Sequence, residues 1–390
     1  MKNIYLTIVA LLFAITIVSC NKENAKNEQR LTPELMARLF PKPVVSPDYN
    51  ADGSVTFRYK SDSAQIVQLD CQMLSERVDM VKDTNNIWSV TVTPPQPDIY
   101  PYCFIVDGKQ VADPSNMYIF PNEGFKNSLA DVRGTEPTMQ DLQNVPHGKV
   151  SYRYYHSKHL GFDRPMCIYT PAGYNPSEAE KYPVLYLIHG MTDTYETWFK
   201  VGKINHIMDN LIAQGLAKKM IVVMPYANPY PEMTNRGMTF EPNIVGTDLF
   251  VKEMLEEIIP FVESNYNVNA NAANRAIAGF SLGGRQTLAT ALGNPDKFQW
   301  VAAFAPALFG NEPIDNFTNN VYADAKTLNK NFKLIQLCCG NSDFLIDASR
   351  LFDKSLTDKG IKHSTHYSEG GHTWMNCRDY IELTAKQLFK

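Results

Sequence analysis

The chain has 390 residues, and its 37 lysines and arginines nearly balance its 41 aspartates and glutamates, for a formal net charge of -4. This balance gives no electrostatic reason to expect nucleic acid or an anionic surface as a partner. The length favours two domains and is sufficient to bury a core without disulfides.

Residues 1–20 are predicted to be a lipoprotein signal peptide. The apolar stretch from Ile4 to Val18 is short for a membrane span, and Ser19-Cys20 at its end resembles a bacterial lipobox. Acylation of Cys20 would anchor the protein to a bilayer, and the polar residues 21–35 would form a flexible tether. We therefore expect an exported bacterial lipoprotein at the outer membrane, cell surface or periplasm. An uncleaved anchor or an ordinary secreted protein is the alternative.

Residues 36–135 show short alternating strands that predict an immunoglobulin-like β-sandwich. Turn signals such as Asp107-Gly108 separate the strands, and no segment of helical period interrupts them. Tyr100, Tyr102 and Phe104 share one strand face, which favours core packing over stacking on sugar rings. The predicted strands are Val55–Tyr59, Ile66–Leu69, Trp88–Val92 and Tyr100–Val106.

The cysteines do not define a disulfide framework. Cys71 and Cys103 fall in strand-like runs and could pair, since an exported protein permits disulfides. Cys338 and Cys339 are neighbours in one strand and point to opposite faces, which favours buried thiols.

Residues 136–147 are predicted to link the sandwich to an α/β domain, residues 148–390. Tyr182–Ile188 is an early buried strand, and His189-Gly190-Met191 follows it directly. The main-chain N–H of Met191 is a candidate donor to an oxyanion, whereas His189 is expected to brace this loop. Trp198 on the next helix is either a pocket residue or a buried aromatic.

The segment Tyr226–Gly246 is long and lacks strong periodicity. Long irregular loops in compact domains commonly border functional sites, so Tyr230 and Phe240 could shape an acyl pocket. Asp248–Glu263 is then predicted to be an amphipathic crossover helix that bends or ends near Pro260.

The segment Gly279-Phe280-Ser281-Leu282-Gly283 lies between a predicted buried strand, Arg275–Ala278, and a predicted helix, Gly284–Leu292. A G-x-S-x-G segment in this context is typical of a nucleophile elbow, in which small flanking residues permit a strained serine above the sheet. Ser281 is therefore the candidate nucleophile, and the main-chain N–H of Leu282 is a candidate donor to the oxyanion.

A serine nucleophile needs a base and an orienting acid, which follow it in the order acid, histidine in α/β-hydrolases. Asp343 comes just after the apolar strand Lys333–Gly340, where such an acid belongs. Asp347 is the alternative acid, although it falls on the next helix. Two glycines precede His372 and let its loop reach the sheet edge, so His372 is the candidate base. Trp374 is a candidate substrate contact.

From about Val150 to Lys390 the chain resembles the esterase D / feruloyl esterase family, which is carbohydrate esterase family 1 of the α/β-hydrolase fold. The resemblance implies a triad of Ser281, Asp343 and His372, an oxyanion hole from the N–H groups of Leu282 and Met191, and no cofactor or metal. The matching segments are Tyr182–Met191, Met220–Pro225, Phe250–Tyr266 and Asn274–Gly284, with the surroundings of Asp343 and His372.

Two further comparisons with known families follow from the sequence. The loop after His189-Gly190 often carries more glycine in that family than Met191–Thr194 does here. The N-terminal region is similar to the E-set, carbohydrate-module-48-like domain that precedes some bacterial esterases. That similarity depends on Trp88, Tyr100, Tyr102, Phe104, Asp107-Gly108 and Asp113-Pro114.

The resemblance implies a serine esterase that acts on a plant cell-wall oligosaccharide or polysaccharide ester. Feruloyl arabinoxylan is the first expected substrate and acetylated xylan the second. An enterochelin-type siderophore esterase, an acyltransferase and a non-catalytic glycan-binding surface lipoprotein stay open as alternatives. The oligomeric state cannot be read from the sequence.

Overall fold

The computed structural model describes residues 32–39, 43–238, 247–308 and 324–390, in two units that divide between Val45 and Ser46. The predicted signal peptide and Cys20 lie outside the described residues. In the first unit, helix α1 spans Pro33–Leu39 and overlaps the last residues of the predicted tether. The Thr32 hydroxyl caps this helix by accepting from the Leu35 N–H at 3.1 Å. No helix in the described ranges is long and apolar enough to span a membrane.

The second unit begins with a strand-rich region that agrees with the predicted β-sandwich. One antiparallel sheet has the order β1-β2-β6-β5, and the other has the order β4-β3-β7-β8 with β9 also paired to β7. Tyr100, Tyr102 and Phe104 of β7 are buried in its core, as predicted from their shared face. The strands are β1 (Asp48–Tyr49), β2 (Val55–Lys60), β3 (Val67–Cys71), β4 (Val78–Asp79), β5 (Val81–Lys82), β6 (Ile87–Val92), β7 (Asp98–Val106), β8 (Lys109–Val111) and β9 (Ser128–Val132).

The register of β3 against β7 excludes a disulfide between Cys71 and Cys103. Cys71 lies opposite Tyr102, and Cys103 lies opposite Asp70. Because directly opposed residues share a face and consecutive ones do not, the two thiols point to opposite sides of the sheet. Both are buried free thiols in the structure, as are Cys338 and Cys339.

The predicted linker is held against its neighbours by hydrogen bonds. The Asn210 amide donates to the carbonyls of Met139 and Asp141, at 2.9 Å each. The Gln140 amide donates to the Asp98 carboxylate at 3.1 Å. These contacts fix the course of the chain between the sandwich and the α/β domain.

The α/β domain is built on a sheet with the order β10-β11-β13-β12-β14-β15-β16-β17 among the described residues. β10 and β11 form an antiparallel pair, β11 also pairs antiparallel with β13, and every other neighbouring pair is parallel. This arrangement is that of an α/β-hydrolase, as predicted. The strands are β10 (Lys149–Ser157), β11 (Phe162–Thr170), β12 (Val184–Ile188), β13 (Ile221–Pro225), β14 (Arg275–Phe280), β15 (Trp300–Phe304), β16 (Leu334–Gly340) and β17 (Ser364–Ser368).

Helices cover both faces of this sheet, which explains why β12, β13 and β14 are buried along their whole length. The helices are α2 (Thr197–Lys200), α3 (Ile204–Ala213), α4 (Tyr230–Asn235), α5 (Thr247–Glu253), α6 (Ile259–Asn265), α7 (Leu282–Leu292), α8 (Ala325–Asn331), α9 (Ile346–Asp358) and α10 (Trp374–Ala385). α3 and α10 pack in one apolar layer, while α5, α7, α8 and α9 pack in the other.

The predicted crossover helix is interrupted by a π-helical turn close to Pro260. A π-helical turn, Met254–Ile258, separates α5 from α6. Pro260 lies two residues after this turn and cannot donate to the helical hydrogen-bond ladder, so the wider turn accommodates the missing bond.

Candidate active site

Ser281 lies on the sharp turn between β14 and α7, with φ 56° and ψ -116°. A side chain in this left-handed region is strained, and such strain is typical of a nucleophile elbow. The two flanking positions must be glycine, because a larger residue would not fit there. A Cβ on Gly279 would lie 2.3 Å from the Gly283 carbonyl oxygen, and one on Gly283 would lie 2.4 Å from the His189 carbonyl oxygen. The predicted strand, turn and helix are therefore all present.

Asp343 and His372 are joined by a direct hydrogen bond. His372 Nδ1 lies 2.8 Å from Asp343 Oδ2, while Asp343 Oδ1 accepts from the Leu345 N–H at 2.8 Å. An ionised carboxylate only accepts, so Nδ1 carries the proton and Nε2 is left as the acceptor. The Asp343 side chain is 1% exposed and that of His372 is 21% exposed, so the acid is buried and the base reaches the surface of the site.

The loops that carry these two residues are bonded to each other. The Ser342 N–H donates to the Gly370 carbonyl at 2.9 Å. Gly370 has φ 86°, and a Cβ there would lie 2.6 Å from Asn376 Oδ1, so glycine is needed at this position. The alternative acid, Asp347, lies in the first turn of α9 and is exposed. The structure thus brings Asp343, rather than Asp347, to His372.

Aromatic side chains fix the position of the His372 ring. The ring centroids of Phe280 and Phe344 lie 4.5 and 4.6 Å from that of His372. Phe280 also contacts Trp374 edge to face, at 5.7 Å. This packing limits rotation of the imidazole and keeps Nε2 directed away from Asp343.

Ser281 and His372 line a common cavity of about 460 Å³. On the α/β side its wall also includes Met191, Phe280 and Trp374. The opposite wall comes from the N-terminal sandwich region. Its residues are Asp70, Cys71, Gln72, Leu74, Pro101, Phe120, Asn122, Phe125 and Asn127. Sequence reasoning missed this second wall, because no local pattern in that region points to a distant serine.

Only some of the predicted substrate contacts line the cavity. Trp374 lines the cavity, and its contact with the substrate stays a prediction. Trp198 does not line it: the side chain is buried in the core, its N–H donates to the Ile188 carbonyl at 3.0 Å, and its ring packs edge to face on Trp374. Tyr230 does not line it either, because it packs against a separate cluster that contains Phe162. Phe240 lies outside the described residues.

His189 braces the loop after β12, as predicted. Its Nε2 accepts from the Ala227 N–H at 2.9 Å, so Nδ1 carries the proton and donates to the Gly190 carbonyl at 2.8 Å. Burial lowers the pKa of His189 to about 4, which keeps the ring neutral in this role.

The two predicted oxyanion donors lie beside Ser281. Leu282 is the first residue of α7, where main-chain N–H groups have no partner within the helix. A Cβ on Gly190 would lie 3.4 Å from the Ser281 Cβ, so the loop that carries Met191 passes next to the nucleophile. Donation by Leu282 and Met191 stays a prediction. Among the described residues, no group of three or more His, Cys, Asp and Glu side chains could hold a metal ion.

Residues 157–382 match the family model of the Esterase family, more than half of the chain. The chain belongs to this family. This match and the fold confirm the predicted α/β-hydrolase, and the relatives described next confirm its likeness to feruloyl esterases. The E-set character of the N-terminal region stays a prediction.

Three proteins with known names are similar to this Esterase family member. It is 28% identical over 353 residues to an endo-1,4-beta-xylanase/feruloyl esterase of Xylanibacter ruminicola, covering 88% of this chain but only 46% of that protein. The solved structure of a ferulic acid esterase is 25% identical with a TM-score of 0.54, covering 62% of this chain and 98% of the other. The enterobactin esterase of Shigella flexneri, solved in the presence of 2,3-di-hydroxy-N-benzoyl-serine, is 15% identical with a TM-score of 0.63. The match covers 86% of this chain and 93% of the other.

Asp193 is a buried carboxyl group in the loop after Met191. Burial raises its pKa to about 7. Hydrogen bonds from Asn122 and the Gly190 main chain lower the pKa, but their effect is smaller than that of burial. Because the folded pKa lies above the unfolded value of 3.8, the folded state binds more protons between these values. Asp193 therefore lowers the stability of the fold as the pH rises from about 4 to about 7.

We expect Asp193→Asn to remove this pH dependence. The free energy of unfolding of the variant, relative to the wild type, should rise by about 2.5 kcal/mol between pH 5 and pH 8. Urea unfolding at both pH values measures the difference, with Asp347→Asn as the exposed control for removal of a carboxylate. A difference between variant and wild type that is the same at both pH values would contradict the buried, protonated state of Asp193.

Proposed function

We propose that this protein is a serine carboxylic-ester hydrolase that acts on plant cell-wall polysaccharide esters, with feruloyl arabinoxylan as the first substrate. The observation that carries the proposal is the cavity of about 460 Å³ that contains both Ser281 and His372. Its volume falls in the range of small-molecule sites and exceeds what an acetyl group needs.

The geometry supports acyl transfer through a covalent intermediate. Ser281 Oγ attacks the ester carbonyl as His372 Nε2 takes its proton, and Asp343 holds the imidazole at Nδ1. The N–H groups of Leu282 and Met191 stabilise the oxyanion. The alcohol then leaves with the proton from His372. Water, deprotonated by His372, attacks the acyl-enzyme and releases the carboxylic acid and free Ser281.

The walls of the cavity support an aromatic acyl group and a sugar alcohol. Phe120, Phe125 and Trp374 offer ring surfaces that suit a cinnamate-type acid. Asp70 and Gln72 offer polar atoms that suit sugar hydroxyl groups. The name of the Xylanibacter ruminicola relative, which joins a xylanase to a feruloyl esterase, supports the same substrate class. The proposal also includes anchoring of the protein to a membrane through an acylated Cys20, which the sequence supports.

The proposal is tested by the release of ferulate and acetate from arabinoxylan oligosaccharides that carry both esters. The purified wild type is expected to release ferulate, and Ser281→Ala is expected to release neither acid. Acetate release alone would move the assignment to an acetylxylan esterase. Release of neither acid, with rapid hydrolysis of a triscatechol ester, would contradict a cell-wall substrate and favour a siderophore ester.

A further inference from the structure

A segment of the N-terminal sandwich region is bonded directly to the loop that carries Met191. Asn122 and Asp193 form an antiparallel bridge, and the Glu123 N–H donates to the Thr192 carbonyl at 2.7 Å. The Asn122 amide lies 3.1 Å from both Asp193 Oδ1 and Thr192 Oγ1 and can donate to each. These three bonds reach the two residues that follow Met191.

Thr192 has a backbone conformation that needs outside support. Its φ is 65°, in the left-handed region, where a β-branched residue is a strained outlier. Such a conformation persists only when the surroundings hold it. Two of the bonds from Asn122 and Glu123 end on the Thr192 hydroxyl and carbonyl, so the sandwich region supplies this support.

The other end of the same loop is held by a network that also includes Glu123. The Glu123 carboxylate accepts from the Tyr226 hydroxyl and from the Asn228 amide, the latter at 2.8 Å. Between these two residues, the Ala227 N–H donates to His189 Nε2 at 2.9 Å. Glu123 therefore connects the two sides of the loop His189–Asp193.

We propose that Asn122 and Glu123 are positioning residues for the Met191 N–H, so that the N-terminal region completes the oxyanion hole of the α/β domain. The inference depends on the proposed esterase function. An oxyanion donor must be held within a fraction of an ångström of its working position, because catalysis depends on donors that are already oriented. Met191–Thr194 contains no glycine that could adopt φ 65° without strain, and the bonds from Asn122 and Glu123 offset that strain.

The test compares Asn122→Ala with a matched control, Asn116→Ala. Asn116 lies in the same segment, donates to the Tyr102 hydroxyl and the Leu129 carbonyl, and makes no bond to the Met191 loop. With p-nitrophenyl acetate, Asn122→Ala is expected to lower kcat by about 30-fold or more while KM changes less than about threefold. Asn116→Ala is expected to lower the melting temperature at least as much and to leave kcat within about twofold.

A second pair of variants, which exchanges the side chains of Asn122 and Asp193, tests the proposal even if Asn122→Ala does not fold. Asn122→Asp alone sets two carboxyl groups against each other, and it is expected to lower kcat by about tenfold or more. The double variant with Asp193→Asn restores an amide opposite a carboxyl group, and its kcat is expected to return to within about threefold of the wild type. Equal kcat losses in Asn122→Ala and Asn116→Ala, or no recovery in the double variant, would overturn the proposal. A wild type without turnover would instead overturn the proposed function and this inference with it.

Discussion

Ser281→Ala is expected to lower kcat on p-nitrophenyl acetate by about 10⁴-fold or more, with little change in melting temperature. The substitution removes the atom that forms the acyl-enzyme and leaves only binding and the oxyanion donors. Alanine keeps the Cβ that already occupies the turn at φ 56°, so the elbow should fold as before. Initial rates and a thermal melt on the same preparation measure both quantities.

A matched glycine variant separates the chemistry of Ser281 from the shape of its turn. Gly283→Ala places a Cβ 2.4 Å from the His189 carbonyl oxygen and should lower stability as well as activity. Turnover that survives Ser281→Ala in a folded protein would remove Ser281 as the nucleophile.

Asp343→Asn is expected to lower kcat by about 10⁴-fold, whereas Asp347→Asn should leave it within about twofold. An asparagine at position 343 can present its NH₂ group to His372, which favours the tautomer with the proton on Nε2 and removes the acceptor for the serine proton. Asp347 lies four residues away on α9, is exposed, and does not contact His372 in the structure. The pair of variants therefore isolates the contribution of one carboxylate.

The kinetic signature of Asp343→Asn should lie in kcat, with KM for the ester nearly unchanged. Asp343 is buried behind the imidazole and does not line the cavity, so its loss does not alter the surface that meets the substrate. The reverse order, with Asp347→Asn as the more damaging change, would reassign the orienting acid.

The elbow and the order of the α/β elements could be predicted from the sequence because their signals are local. Small residues around Ser281, an apolar strand before it and a helical period after it all lie within one short segment. Asp343 and His372 could be placed by chain order and by the glycines next to them, since turns that need positive φ select glycine. The α/β-hydrolase fold was predicted from the resemblance of residues 150–390 to the feruloyl esterase family, together with the elbow at Ser281.

The rest depends on packing between distant segments, which periodicity does not encode. An aromatic side chain such as that of Trp198 is equally compatible with a core position and a pocket position. Only the orientation of its helix decides between them. The opposite faces of Cys71 and Cys103 followed only from the register of β3 against β7. The bond from Asn122 to Asp193 joins residues 71 positions apart, and the wall residues between Asp70 and Asn127 are likewise distant in sequence from the α/β loop they meet.

Covalent labelling with an alkyl fluorophosphonate tests most directly the claim that the chain is a serine esterase with Ser281 as its nucleophile. The probe phosphonylates activated serines and releases fluoride. Peptide mass spectrometry is predicted to find one label per chain, on the peptide that contains Ser281, with esterase activity lost in proportion to labelling. A label on another serine, or full labelling of Ser281 with turnover retained, would contradict the account.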